Sequence, residues 1–208
     1  MMSSDSFIFK QTFYFKYGKR VFDMVWVTIG LVVLSPLFCV LAVLVKYSSP
    51  GSIFFVQERV GRDFKPFNMV KFRTMVMNTE VNHSLVTAAN DARITPIGAW
   101  LRRYKLDELP QLFNVLKGDM SLVGPRPEVD RYIQQFKADY DVILKVRPGI
   151  TDNAAIQFKN EETILQQYDD VQQGYIDDIL PKKIKLYKAY IKNMTFCNDL
   201  YLIIKTIV

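Results

Sequence analysis

Asp107 and Glu108 stand side by side in the stretch Leu106-Asp107-Glu108-Leu109-Pro110, and arginines crowd the sequence around them. Arg102 and Arg103 lie just upstream, Arg126 is held between Pro125 and Pro127, and Arg147-Pro148-Gly149 repeats the device. Flanking prolines restrict the backbone and so fix where Arg126 points, which suits a planar guanidinium gripping phosphate oxygens in a forked geometry. Paired carboxylates beside immobilised arginines are what phosphoryl chemistry with a hard cation needs. Mg²⁺ takes carboxylate and phosphate oxygens while arginines neutralise the remaining charge, and a carboxylate can itself attack phosphorus. The competing reading is ordinary helix-start chemistry, an Asp at a cap with a Glu in the first turn.

Other chemistries are scarce in this chain. The single histidine, His83, sits in the polar Asn82-His83-Ser84 and reads as a loop residue, so Ser-His-Asp and Cys-His mechanisms have little to work with. Cys39 and Cys197 are far apart, lack metal-ligand spacing and read as reduced packing thiols. Half of the 208 residues are hydrophobic and 23% are charged, which excludes a disordered or disulfide-stapled chain. A net charge of +6 fits partners that carry phosphates or anionic head groups.

These residues need elements to position them. Met24 to Val45 is an unbroken uncharged run, about 33 Å long as a helix, which matches a bilayer core. Pro36, after Ser35, falls near its middle and removes an intrahelical hydrogen bond. Basic residues flank both sides, Lys10, Lys16, Lys19 and Arg20 before and Lys46, Arg59, Arg62, Lys65, Lys71 and Arg73 after, and the positive-inside rule puts both flanks on the cytoplasmic face. A re-entrant helix bent at Ser35-Pro36 satisfies both observations, the Ser35 hydroxyl meeting a freed carbonyl. A straight span and a soluble core helix are the alternatives. Before the run, Phe7, Phe9, Phe13, Tyr14, Phe15 and Tyr17 interleave with Lys10 and Lys16, a mixture suited to a membrane interface or to a frayed terminus.

Beyond the run, Ile53–Gln57 and Phe67–Arg73 read as a hairpin punctuated by Gly61 and Pro66. Residues 76 to 93 are polar and aperiodic. Thr95-Pro96 caps a helix leading to Arg102-Arg103, and a second helix follows Asp107-Glu108, with Leu109, Leu112, Phe113 and Leu116 on one face and Gly118 as its stop. Pro181 opens a helix in which Lys182, Lys183, Lys185, Lys188 and Lys192 alternate with apolar residues, either lying on anionic lipid or showing a solvated lysine face over a core-packed side. The fold class is mixed α/β and mostly helical, with a membrane helix-break-helix, a short β-hairpin and interfacial amphipathic helices.

The ordered blocks resemble the monotopic phosphoglycosyl transferases, bacterial sugar transferases that begin glycan assembly on a polyprenyl phosphate carrier. They run from Lys19-Arg20-Val21-Phe22-Asp23 through Leu34-Ser35-Pro36, Gln57-Glu58-Arg59-Val60-Gly61, Lys71-Phe72-Arg73-Thr74-Met75, Leu106 to Gln111, Gly118-Asp119-Met120-Ser121 and Val123-Gly124-Pro125-Arg126-Pro127 to Arg147-Pro148-Gly149-Ile150-Thr151. The resemblance covers roughly residues 19 to 158 and is to the minimal catalytic form. It implies an aromatic and basic interfacial N-terminus over 1–18, a re-entrant membrane helix over 19–47 and a catalytic domain over 48–208 on the cytoplasmic face of a bacterial inner membrane.

It also implies that Asp107 attacks the sugar-bearing phosphate of a UDP-sugar, that UMP leaves, and that polyprenyl (undecaprenyl) phosphate then takes the phosphosugar. Glu108 would help hold Mg²⁺ with Asp107 or assist proton transfer. Arg102, Arg126, Arg147 and Lys71 would contact substrate phosphates. After Thr151 many relatives continue Gly-Trp-Ala-Gln-Val, whereas this chain has Asp152-Asn153-Ala154-Ala155-Ile156, a departure bearing on the choice of sugar. A membrane-anchored scaffold would leave the dyad and arginines without a purpose, and no nucleic-acid motif accompanies the basic charge. The oligomeric state is open.

Overall fold

The computed structural model describes residues 12–76 and 91–207. His83, the first residues of the aromatic terminus and most of the polar stretch 76–93 lie outside the described residues.

A π-helical turn, Tyr14–Gly18, leads into α1, Lys19–Ser48, about 45 Å long at 1.5 Å per residue. One stripe of α1, Val27, Leu31, Leu34, Phe38, Leu41 and Val45, spaced alternately four and three apart, packs along the rest of the molecule. The opposite side, including Trp26, Ile29, Val32, Val33, Val40 and Val43, is exposed and apolar. The expected break at Ser35-Pro36 is not an interruption: helix continues through both residues. Proline removes the amide that would bond to the Val32 carbonyl, and the Ser35 hydroxyl donates to that oxygen instead at 2.8 Å. The partner is replaced, so the helix is not forced to stop. Cys39 and Cys197 are both exposed, because neither falls on a core-facing stripe.

The two ends of α1 are clasped by the same body. At its start, buried Lys19 pairs with Asp199, which also accepts from Tyr14 and Tyr190 hydroxyls at 2.7 Å each. At its end, Arg73 donates to the carbonyls of Ser49 (2.6 Å), Val45 (3.5 Å) and Pro50, satisfying helix-terminal acceptors with a cation.

Strands β1, Phe54–Val60, and β2, Pro66–Phe72, form the antiparallel hairpin, in register from Phe54 opposite Phe72 to Val60 opposite Pro66. α2, Pro96–Arg103, starts as its cap predicts, with the Thr95 hydroxyl accepting from Gly98 at 2.9 Å. A 3₁₀ turn, Leu106–Glu108, precedes α3, Gln111–Lys117. Gly118, at φ 100°, ends α3 as a left-handed cap. The apolar face read for α3 is displaced. Leu112 and Val115 are buried, whereas Phe113 and Leu116 are exposed, because Gln111 and Asn114 take inward positions. Asn114 is drawn inward because it bridges to β2: it accepts from Val70 at 3.0 Å and donates to the Asn68 carbonyl at 2.7 Å.

Two short parallel strands follow, β3, Ser121–Val123, and β4, Gly149–Thr151, with α4, Asp130–Gln135, and α5, Lys137–Ile143, between them. Gly149 has no room for a side chain, since a Cβ there would lie 2.1 Å from the Gly124 nitrogen. That close approach seats the Gly124-Pro125-Arg126-Pro127 segment. Three short helices, α6 (Asn153–Gln157), α7 (Glu161–Leu165) and α8 (Val171–Gly174), lead to α9, Leu180–Lys192, and α10, Phe196–Ile207. α9 is a core helix: Leu180, Ile184, Tyr187, Tyr190 and Ile191 are buried within the largest apolar cluster. Its lysines do not face lipid together, since Lys188 pairs with Asp139 and buried Lys183 pairs with Glu161 at 2.8 Å.

Candidate active site

Asp107 and Glu108 occupy the 3₁₀ turn that follows Lys105, whose φ of 56° is left-handed. That conformation costs a non-glycine residue roughly 1–2 kcal/mol. Both carboxylates are buried, each 8% exposed. They are not equivalent. Glu108 is gripped from two elements: Lys71 at the end of β2 donates to Oε1 at 3.0 Å, and Arg126 donates to Oε2 at 3.0 Å and also to Oε1. Burial alone would raise the Glu108 carboxyl, but Arg126 and then Lys71 outweigh it and hold it well below the usual carboxylate range.

Asp107 has the opposite environment. Its Oδ1 is buried and has no hydrogen-bond partner among the described residues. Burial pushes its carboxyl above the ordinary value, while the Lys71 charge pulls it down and Glu108 pushes it further up. Asp107 does not stand at a cap position: Lys105 precedes the 3₁₀ turn and Pro110 precedes α3.

Of the residues read from the sequence, the structure gathers Asp107, Glu108, Lys71 and Arg126, and the Arg102 charge acts on Asp107 from the end of α2. Arg147 is not among them. Its Nε donates to the Gly118 carbonyl at 2.8 Å, and the charges bearing on it are those of Arg20, Arg62 and Asp23. Sequence reasoning misses Lys105, although its charge bears on both carboxylates. Its one signal is position, immediately before the dyad block.

Behind Arg126 lies a polar support. Glu128 accepts from the Tyr175 hydroxyl at 2.6 Å and pairs with Arg59 at 3.6 Å, and Lys183 donates to the Tyr175 hydroxyl at 3.3 Å. Asp152, the first residue of the divergent segment, caps α6 by accepting from Ala155 at 2.9 Å and from Ala154. Its carboxyl is pushed up to about 6 by burial, against the pull of the Ala155 amide, Lys183 and Arg126.

A hard divalent cation fits here in one way. Among the described residues no group of three or more His, Cys, Asp or Glu could hold a metal. Both Glu108 oxygens are already engaged by cations, so Asp107 Oδ1, buried and orphaned, is the protein oxygen a cation would satisfy, with the remaining positions filled by phosphate oxygens and water as Mg²⁺ prefers.

The sequence model of the bacterial sugar transferases matches residues 14–208. The chain is 37% identical over 198 residues to the UDP-N-acetylgalactosamine-undecaprenyl-phosphate N-acetylgalactosaminephosphotransferase of Aeromonas hydrophila, covering 93% of this chain and 43% of that protein. It is 38% identical over 194 residues to the UDP-glucose:undecaprenyl-phosphate glucose-1-phosphate transferase of Escherichia coli, covering 91% and 39%. It is 32% identical over 205 residues to the exopolysaccharide production protein ExoY of Sinorhizobium fredii, covering 91% and 84%. The chain thus spans about two fifths of the length of the first two. With a dyad, a proline-framed arginine and a long apolar helix all inside the matched region, the chain belongs to the bacterial sugar transferase family.

Proposed function

We propose that the chain transfers a phosphosugar from a UDP-sugar to polyprenyl phosphate, with Asp107 as nucleophile. The observation that carries this reading is the unequal dyad: Glu108 is neutralised by Arg126 and Lys71, while Asp107 keeps a free carboxylate oxygen. In the first step one oxygen of the Asp107 carboxylate attacks the sugar-bearing phosphorus, and the other stays available to a cation. The bond from phosphorus to the bridging oxygen breaks, and UMP leaves with the electron pair. In the second step an oxygen of the polyprenyl phosphate attacks the same phosphorus, the bond to Asp107 breaks, and the carboxylate is restored. Arg126, Lys71, Lys105 and Arg102 hold the phosphates and spread their charge. A bound Mg²⁺, held by Asp107 and the diphosphate, would supply further charge neutralisation.

The environment of Glu108 favours a positioning role over proton transfer. A carboxylate held well below its ordinary range is a weak base, and its oxygens already anchor the two cations.

The packing of α1 supports the membrane reading. A stripe along nearly its whole length contacts the catalytic body, so a helix standing straight across a bilayer would drag the charged body into hydrocarbon. Entry and exit by one face, with the exposed apolar side toward lipid, avoids this. On this reading the basic flanks put the catalytic body on the cytoplasmic side, as the positive-inside rule expects.

The test is Asp107→Asn. Asn keeps the shape and loses the anionic oxygen, so UMP release should fall by at least about 10³-fold, the scale seen when a catalytic nucleophile is removed. Wild type given UDP-sugar without acceptor should gain one phosphosugar mass on the peptide carrying Asp107. An active Asn variant, or an adduct on another residue, overturns the assignment.

A further inference from the structure

Away from the dyad, the turn end of the hairpin, the Gly118–Asp119 corner and Arg147 enclose a pocket of about 290 Å³. Pro66 at its rim and Lys71 at the dyad are five residues apart on β2, about 17 Å along a strand, so this is a separate place. Arg62 and Lys65 enter it from the turn, and Arg147 from the opposite wall. Arg20 stands behind the wall, its guanidinium 3.3 Å from where a Gly118 side chain would begin, and it is fixed by the carbonyls of Val115 (2.6 Å) and Leu116 (3.0 Å).

The turn is rigid. Asp63 and Phe64 are both left-handed, the Asp63 amide is tied to the Leu144 carbonyl at 2.8 Å, and the Gly61 amide to the Lys65 carbonyl at 2.8 Å. The two lining carboxylates are engaged, Asp63 with Arg62 and Asp119 with Lys117, each at 3.3 Å. Arg147 is left half-buried, its charge disfavoured by burial and then by the like charges of Arg20 and Arg62. An anion in the pocket would offset the like-charge crowding on Arg147 and pair with it directly.

The pocket is larger than a bare phosphate, and Phe67, buried, adds an apolar side chain to its lining. Its place is also telling. The Arg62 guanidinium lies 5.9 Å from the Phe15 ring in the turn that leads into α1. Arg20 precedes the uncharged run from Met24 by about 6 Å of helix, the depth of lipid head groups when α1 is embedded.

We propose that this pocket binds a phosphate group, that of an anionic lipid head group, at the polar end of α1 and apart from the reacting centre. The choice of a lipid rests on the membrane reading above, and the same chemistry admits free phosphate. The full chain is reconstituted in phosphatidylcholine nanodiscs with and without phosphatidylglycerol, and retained phosphatidylglycerol is titrated. Arg62→Gln and Lys65→Gln remove pocket charges from an exposed turn, and Lys137→Gln on α5 removes one charge from an exposed site outside the pocket lining. Each pocket variant should weaken phosphatidylglycerol binding about five- to tenfold, against under about twofold for Lys137→Gln.

A second arm measures thermal protection of detergent-held protein by inorganic phosphate. Protection of wild type that is lost in Arg62→Gln supports the pocket with free phosphate as the source. Lipid retention lost in the pocket variants without such protection supports the head group. Pocket variants that behave like Lys137→Gln in both arms overturn the site and leave diffuse charge alone. Failure of wild type to enter phosphatidylcholine discs would instead strike the membrane reading, and a surviving phosphate effect would show the pocket standing without it.

Discussion

Adjacent carboxylates are pushed in opposite directions at this site. Glu108 stays ionised because two cations hold it, while Asp107 is raised chiefly by burial and restrained mainly by Lys71. A nucleophile must be ionised, and for a raised carboxyl that happens at higher pH than for an ordinary aspartate. The rate of the first step should therefore fall on acidification at a pH above that of a free aspartate near 3.9. Lys71→Met removes the restraining charge, so its acid limb should move to still higher pH, with activity lowered several-fold near neutrality; a pH profile of UMP release with an unmoved limb would show that Lys71 does not act on Asp107. That the dyad, Arg126 and Lys71 come together was implied by the family resemblance, whose ordered blocks carry all four. That Arg147 goes elsewhere was not, since a proline-framed arginine looks the same in either pocket. Nor was the left-handed Lys105, a conformation that lysine does not advertise.

Among the elements, the caps were readable because each rests on a local rule: Thr95 before Pro96, and Gly118 at φ 100° after α3. The short helices between Asn153 and Gly174 were not, since four or five residues hold barely more than one turn and show no period. The helix through Pro36 was half legible: the missing donor was foreseen, and so was the serine that replaces it, but not that helix would persist. This gives a double-mutant cycle. With Pro36 in place, Ser35→Ala should cost about 1–2 kcal/mol, because the Val32 carbonyl loses its substitute donor in an apolar setting. In a Pro36→Ala background the same change should cost close to nothing, as the restored amide takes over; thermal unfolding in detergent reads the coupling. Equal costs in both backgrounds would remove Ser35 from the account.

For the molecule as a whole, the polar support behind Arg126 sets a pH dependence of stability. Asp152 is raised to about 6 in the folded chain from an unfolded value near 3.8, so the folded state holds its proton more tightly. Stability from this group is present below the unfolded value and is lost as pH rises through about 6, up to roughly 3 kcal/mol in all. Asp152→Asn keeps a capping oxygen without the charge. It should flatten the decline between about pH 4 and 7 and raise the melting temperature at about pH 7.5; a decline as steep as in wild type would place its origin elsewhere. The core composition was legible as far as hydrophobic content allowed. The role of α9 was decided only by tertiary neighbours, which filled its apolar side with protein.

The clasp of Arg73 on the end of α1 has a mechanical side. Arg73 and Lys71 are two residues apart on one extended segment, one fixed to the carbonyls of Val45, Ser49 and Pro50, the other to Glu108. Side chains two apart leave a strand on the same face, so this segment works as a short rod between the anchor and the chemistry. If α1 is embedded as proposed, a tilt forced on it by a thinner or thicker bilayer would reach, through this segment, the Lys71 charge that bears on Asp107, and the membrane's thickness would become a setting of the catalyst.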